Sequence, residues 1–287
     1  MSYRRRPSPL HAARAAAGLT YCVALGCAAL ILSAPVALGA VALAIVLAGI
    51  AAGVGRELRR AALFALPLGV LVAVVNALVT RNGLTVIWRL GDLPVVGHTD
   101  ITLEATVYGA ILGLRAVALI LCGALYTAAV DPDEVLRLFR RVSFRSALTA
   151  TLATRMVPIL IRDSQRLADA QRCRPGRPPT RVQLLRATTS GVLDRALNVA
   201  AALEVRGYGA ARRPPPARAP YSRHDLAFIG SAVGVLALAI FARVGGLVPF
   251  SAYPALHAPV RGAQLAVAAG LLGFALAPFA DRRGVTR

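Results

Sequence analysis

Residues 146–174 read SALTATLATRMVPILIRDSQRLADAQRCR. The first half, through Ile161, is apolar. The second half, from Arg162, is mostly polar. A helix of that kind lies at a membrane surface or leaves it, with a bend expected near Pro158 because proline removes a helical N–H. A second run extends from about Val182 to Arg206, where Leu185, Leu193, Leu197, Ala200 and Leu203 can share one helical stripe. Two such helices, each of about 25 residues, reach almost 40 Å at about 1.5 Å per residue. That is too long for a connecting loop and suits a docking platform.

Upstream of this pair, Asp131 is an N-cap candidate and Pro132 fits the first helical position. Asp133 and Glu134 complement the positive end of the helix that continues into VLRLFRRV. A metal site is the other reading of this acid cluster, but a helix start accounts for it. Downstream, PPPARAP (214–220) forms a stiff connector. The polar part is therefore 130–224, between helices expected to cross a membrane in 1–129 and in 225–287.

The composition agrees with a membrane protein. The 287 residues are 57% hydrophobic with mean hydropathy +0.63, and only 16% are charged, against about 25% in soluble domains. Spanning helices need about 20 apolar residues. Candidate runs are 17–33, 35–55, 61–80, 105–129, 225–243 and 263–280. The expected fold is an all-α integral membrane protein with about six spans. The range is four to six, because 17–55 either crosses as two helices or forms a hairpin short of full crossing. No clear A-x-A site separates the first two runs, so the first reads as an uncleaved span. The outer segment 81–104 is either a re-entrant loop or a short hairpin.

The net charge is +20 and every basic residue is arginine. With the N-terminus inside, inner segments carry 28 arginines and outer segments 4. That asymmetry places both termini and 130–224 in the cytoplasm. It also explains the charge without nucleic acid as a partner. The alanine-rich, lysine-free composition is that of a GC-rich bacterial genome, so the membrane is expected to be the bacterial inner membrane. A P-loop needs its lysine at the phosphates, so this chain has no Walker A site and ATP, if used, is bound by a partner. The cysteines show no metal or disulfide spacing, the four histidines are scattered without an HExxH, and no catalytic constellation stands out. Arg115, about 16 Å beyond Glu104 along one helix, is an intramembrane charge and hence a site candidate. The bland alternative is a structural pair or a carbonyl partner inside the bundle.

Both long cytoplasmic runs end alike, in AQRCRPG (170–176) and ALEVRGYG (202–209). A cation and a glycine at a helix end are ordinary capping chemistry. With ITLEATVYGAILGLRAVALIL (101–121), DPDEVLRLFRR and LATRMVPILIRDSQRLADAQR, however, they resemble the transmembrane T component of energy-coupling factor (ECF) transporters, the cobalt transport protein family. The resemblance is good over about 100–210. Arg174 and Arg206 match the arginines of that family's two Ala-Arg-Gly-type motifs. Val205 stands in for alanine in the second, beside Gly207, and Cys173 and Pro175 replace alanine and glycine in the first. The resemblance implies a scaffold that binds two ABC-type ATPase subunits and a small membrane-embedded substrate-binding subunit, for vitamin or transition-metal uptake. The competing reading is a membrane enzyme acting on a lipid or prenyl substrate, against which the lack of a repeated acid motif counts.

Overall fold

The computed structural model describes residues 6–80, 85–93, 97–139, 144–173, 180–207, 221–250 and 262–281. In chain order the elements are α1 (Pro9–Ala12), α2 (Ala15–Ile31), α3 (Pro35–Ala51), α4 (Gly55–Val79), β1 (Val86–Leu93), β2 (Gly97–Thr102), α5 (Leu103–Ala129), α6 (Pro132–Phe139), α7 (Phe144–Arg172), α8 (Arg181–Val205), α9 (Arg223–Val244) and α10 (Gly262–Ala280). This is an all-α membrane protein. Among the described residues its β structure is one antiparallel hairpin, β1 with β2, in the segment between α4 and α5.

Four helices, α4, α5, α9 and α10, are long and apolar enough to cross a membrane. The α2 and α3 helices are apolar but have 17 residues each, about 25 Å at 1.5 Å per residue. They are joined by Leu32–Ala34, and Pro35 opens α3, where its missing N–H costs nothing. The turn lies against Arg115, near the middle of α5. The hairpin therefore turns back beside the middle of that helix, not at its Leu103 end.

Contacts divide the chain into two compact units, residues 1–135 with 221–287, and residues 136–220. The first and last helical sets, set apart by the long polar segment in the sequence, share the first unit. Its core is small-residue packing around three aromatic rings. Tyr21, Phe228 and Phe279 meet edge to face, with centroids 5.2, 5.3 and 6.3 Å apart, an arrangement that suits ring quadrupoles. The Tyr21 hydroxyl donates to the Ala275 carbonyl at 2.9 Å, which satisfies the polar tip inside the bundle.

The α4–α5 pair shows why glycine is spaced by four here. A Cβ on Gly113 would lie 2.4 Å from the Gly69 carbonyl oxygen, and one on Gly109 would lie 2.6 Å from that of Ala73. The pairs 69/113 and 73/109 run in opposite chain directions. The helices are thus antiparallel, and small residues let their backbones touch, as membrane helices without a hydrophobic driving force require. The outward side of α4 carries exposed Leu63, Phe64, Val70 and Leu71.

Helix ends of this unit sort to two sides. At one end Thr85, just before β1, donates to Glu104 at the start of α5, from its backbone N–H at 3.2 Å and its hydroxyl at 2.8 Å. At the other, the starts of α2 and α9 meet the end of α5. There Arg6 reaches the Gly53 carbonyl and Glu57, the latter at 2.5 Å.

Candidate partner-docking helices

The unit of residues 136–220 is built on α7 and α8. The α7 helix has 29 residues and continues through Pro158 to Arg172. The Cys173 N–H still donates to the Asp169 carbonyl at 3.2 Å, which carries the last helical bond one residue further. The α8 helix opens with a capping box: Thr180 N–H donates to Gln183 Oε1 at 3.1 Å and Gln183 N–H to Thr180 Oγ1 at 3.4 Å. Two otherwise unpaired donors are thereby satisfied.

The two helices face each other across troughs, not a sealed seam. One, of about 840 Å³, is lined by Leu160, Asp163, Leu167, Thr188, Val192 and Arg195. A second, of about 250 Å³, is more apolar and takes in Met156, Val199, Ala200 and Leu203. Across the pair, Arg195 bonds Asp163 at 2.7 Å with both side chains partly exposed. The stripe expected on α8 is divided by this arrangement. Ala200 and Leu203 line a trough with Val192, Ala196 and Val199, while Leu193 and Leu197 are both exposed; Leu185's side chain lies outside the described ones. Apolar residues occur around much of α8. Two stripes at helical spacing were therefore available, and packing against α7 selected 192/196/199/203.

The end of α8 carries the second of the two arginine motifs. Val205 is 89% exposed, and Arg206 and Gly207 are exposed beside it. Arg206 is the C-cap. Gly207 takes φ +68 and donates its N–H to Glu204 O at 2.8 Å. This is the left-handed cap that favours glycine, because a Cβ penalises that conformation. The chain thus turns sharply after Arg206 and leaves the valine, the arginine and the glycine at the tip of a long helix. In the first motif Cys173 is exposed. Arg174 and Pro175 lie outside the described residues, as do Tyr208 and the PPPARAP connector.

The two intramembrane candidates take different partners. Arg115 donates from Nε to Ala29 O at 3.2 Å and from its terminal nitrogen to Leu32 O at 3.0 Å. These carbonyls belong to the last turn of α2 and the residue after it, where unpaired acceptors and the negative dipole end favour a cation. Glu104 is buried, with Thr85 on both its oxygens. In the acid cluster, Asp131 Oδ1 accepts from Asp133 N–H at 2.9 Å, which is capping, but Glu134 reaches across to the Ala15 N–H at 2.9 Å. Sequence reasoning missed that tertiary partner, and missed Asp225 and Arg14 with it. The Ser222/Asp225 pair has the capping-box spacing, yet spacing carries no information on which other helix a carboxylate meets.

No group of three or more metal-ligating side chains is gathered among the described residues. Two long helices with exposed apolar flanks, troughs between them and an exposed arginine at one tip are suited to binding another protein.

The family model described as cobalt transport protein (CbiQ) matches residues 7–216, a span that takes in α1 to α8. No curated protein sequence matches the chain. The chain belongs to the cobalt transport protein family, and is a membrane component of a transporter.

Proposed function

We propose that this member of the cobalt transport protein family is the coupling subunit of an energy-coupling factor importer. Residues 136–220 bind two ABC-type ATPases on the cytoplasmic side, and the membrane helices hold a small substrate-binding membrane protein. The chain passes ATP-driven motion between them and performs no chemistry of its own. The cargo is a transition metal or a vitamin, with selectivity residing in the substrate-binding partner.

The observation that carries this reading is the pair α7 and α8, a unit of its own that ends α8 with an exposed Val205-Arg206-Gly207. The arginine fork holds a carboxylate through two parallel hydrogen bonds and stays charged at working pH. Two similar helices, with Arg174 after the first and Arg206 after the second, suit two similar ATPases. Orientation follows the arginines, which favours a cytoplasmic location for both termini and for 130–224. Single cysteines at Ser143 and Gly97, in a background without the native four, are expected to label from opposite sides of the membrane. Labelling of both by an impermeant reagent in intact cells overturns that orientation.

The docking test is co-purification in mild detergent with the ATPases encoded beside this chain. Breaking a buried charge pair costs about 3–5 kcal/mol, whereas loss of a helix-end contact costs about 1 kcal/mol or less. Arg206→Glu is therefore expected to weaken ATPase binding on the order of a hundredfold or more while the protein stays folded in the membrane. Arg174→Glu acts likewise, and the double change abolishes ATP-dependent uptake of divalent cobalt. Arg212→Glu, just before the connector, has little effect. Normal ATPase assembly in both single variants defeats the docking role.

A further inference from the structure

Two carboxylates from different helices converge on the first two amides at the start of α2. Asp225, on the first turn of α9, accepts from the Arg14 N–H through Oδ1 at 2.7 Å. Its other oxygen accepts from Ser222 N–H at 2.8 Å and lies 3.4 Å from the Arg14 Nε. Its side chain is 1% exposed. Glu134, on the first turn of α6, accepts from the next amide, Ala15 N–H, through Oε2 at 2.9 Å. The Arg14 guanidinium also sits 5.0 Å over the Tyr221 ring. Beneath these bonds Ala15, Val130 and Val135 form a small buried cluster of their own.

These contacts lie at a special place along the chain. The first compact unit is left after Val135 and re-entered at Tyr221. Glu134 is the last residue but one before the exit, and Tyr221, Ser222 and Asp225 are residues of the return. The chain that leads out to segment 136–220 and the chain that returns from it are thus fastened to one point of the first unit, the N-terminus of α2. The bonds are of the strong kind, because each joins an ionised acceptor to an amide at the positive end of a helix. From that point α2 runs back into the bundle and ends at the turn held by Arg115. Helix capping within α9 accounts for the Ser222–Asp225 box, but not for the bond that Asp225 Oδ1 accepts from Arg14 N–H or the one that Glu134 accepts from Ala15 N–H, both at the start of another helix.

We propose that Glu134 and Asp225 clamp the residues flanking segment 136–220 on both sides to the start of α2, and that α2 is the element through which displacement of that segment enters the membrane helices. They are positioning residues. This rests on the coupling role proposed above.

The test uses the complex purified with its ATPases, with Mg-ATP as the probe. Amide hydrogen exchange along α2 is followed with and without turnover, together with the hydrolysis rate. In Glu134→Ala/Asp225→Ala the ATPases are expected to stay bound and hydrolysis to continue. The ATP-induced change in α2 exchange is expected to shrink by about tenfold or more. Glu134→Gln keeps an acceptor for the Ala15 N–H and restores much of the response, which separates positioning from a general loss of structure. Arg14→Gln, which leaves the backbone amides in place, is the milder variant if the double one fails to fold. An α2 response of wild-type size, or one that declines only in proportion to hydrolysis, overturns the proposal. A second arm needs no ATPase. In the chain alone, exchange over 130–139 and 221–226 should rise about tenfold in the double variant while α4 and α5 are unchanged. No rise there overturns the clamp itself. A rise there combined with normal ATPase binding by both Arg174→Glu and Arg206→Glu sinks the docking role and leaves the clamp standing.

Discussion

The α4–α5 pair and the α7–α8 pair use helices of similar length, 25 and 27 residues against 29 and 25, but meet in opposite ways. The first is joined backbone to backbone, with Gly69 against Gly113 and Ala73 against Gly109. The second leaves troughs lined by Leu160, Val192, Met156 and Leu203, bridged by the part-exposed Arg195–Asp163 pair. In a lipid environment apolar surface has little reason to hide from its solvent, so close backbone approach has to hold the helices. The second pair leaves apolar side chains such as Val157, Leu193 and Leu197 exposed, which is the pattern of a surface that awaits a partner. The lesson is that tightness marks the framework here and looseness marks the candidate binding region.

The comparison breaks most visibly at Gly113. Gly113→Leu forces a side chain onto the Gly69 carbonyl, and overpacking of this kind costs about 1–3 kcal/mol or more. The expected outcome is loss of monodisperse protein in detergent. Recovery of a wild-type elution profile and melting temperature removes the claim of backbone contact.

Arg115→Leu comes next. It leaves the Ala29 and Leu32 carbonyls without their cation, at about 1–3 kcal/mol for stranded buried acceptors. A lowered midpoint in chemical unfolding is expected, with Arg115→Lys less affected because a single ammonium can still reach one of the carbonyls. Equal midpoints for Leu and wild type show that the turn needs no cap.

A smaller loss is expected for Asp163→Asn. Its pair with Arg195 is partly exposed on both sides, and such pairs contribute about 0.2–1 kcal/mol. The stability difference should diminish further as salt is raised. A loss several times larger makes this pair a structural anchor and closes the contrast with α4–α5.

Gly191→Ala should show the smallest change, and in the stabilising direction. A Cβ there meets nothing within 4 Å, and alanine is favoured over glycine inside a helix by about 0.5–1 kcal/mol. A destabilised Gly191→Ala places something against α8 that the helix pair alone does not show.

Much of this was legible from local sequence. Runs of apolar residues determined six helices near their observed limits, because burying a backbone in lipid demands helical hydrogen bonding over a length set by the bilayer. The Asp131-Pro132 helix start and the α8 ending at Arg206-Gly207 were readable as well, since caps act within a few residues. The outer segment, open between a re-entrant loop and a hairpin, is a hairpin with Val86 paired to Thr102 and Leu93 to Gly97. Only the tertiary structure decided what each charge meets. Arg115 took carbonyls at a hairpin turn, Glu104 took Thr85, and Glu134 and Asp225 took the first amides of α2. It also decided which of two stripes on α8 faces α7, and that α2–α3 turns back beside the middle of α5. The physical reason is range. Periodicity, capping and hydropathy act between near neighbours along the chain, whereas a carboxylate at 225 finds an amide at 14 only once α9 has packed beside α2.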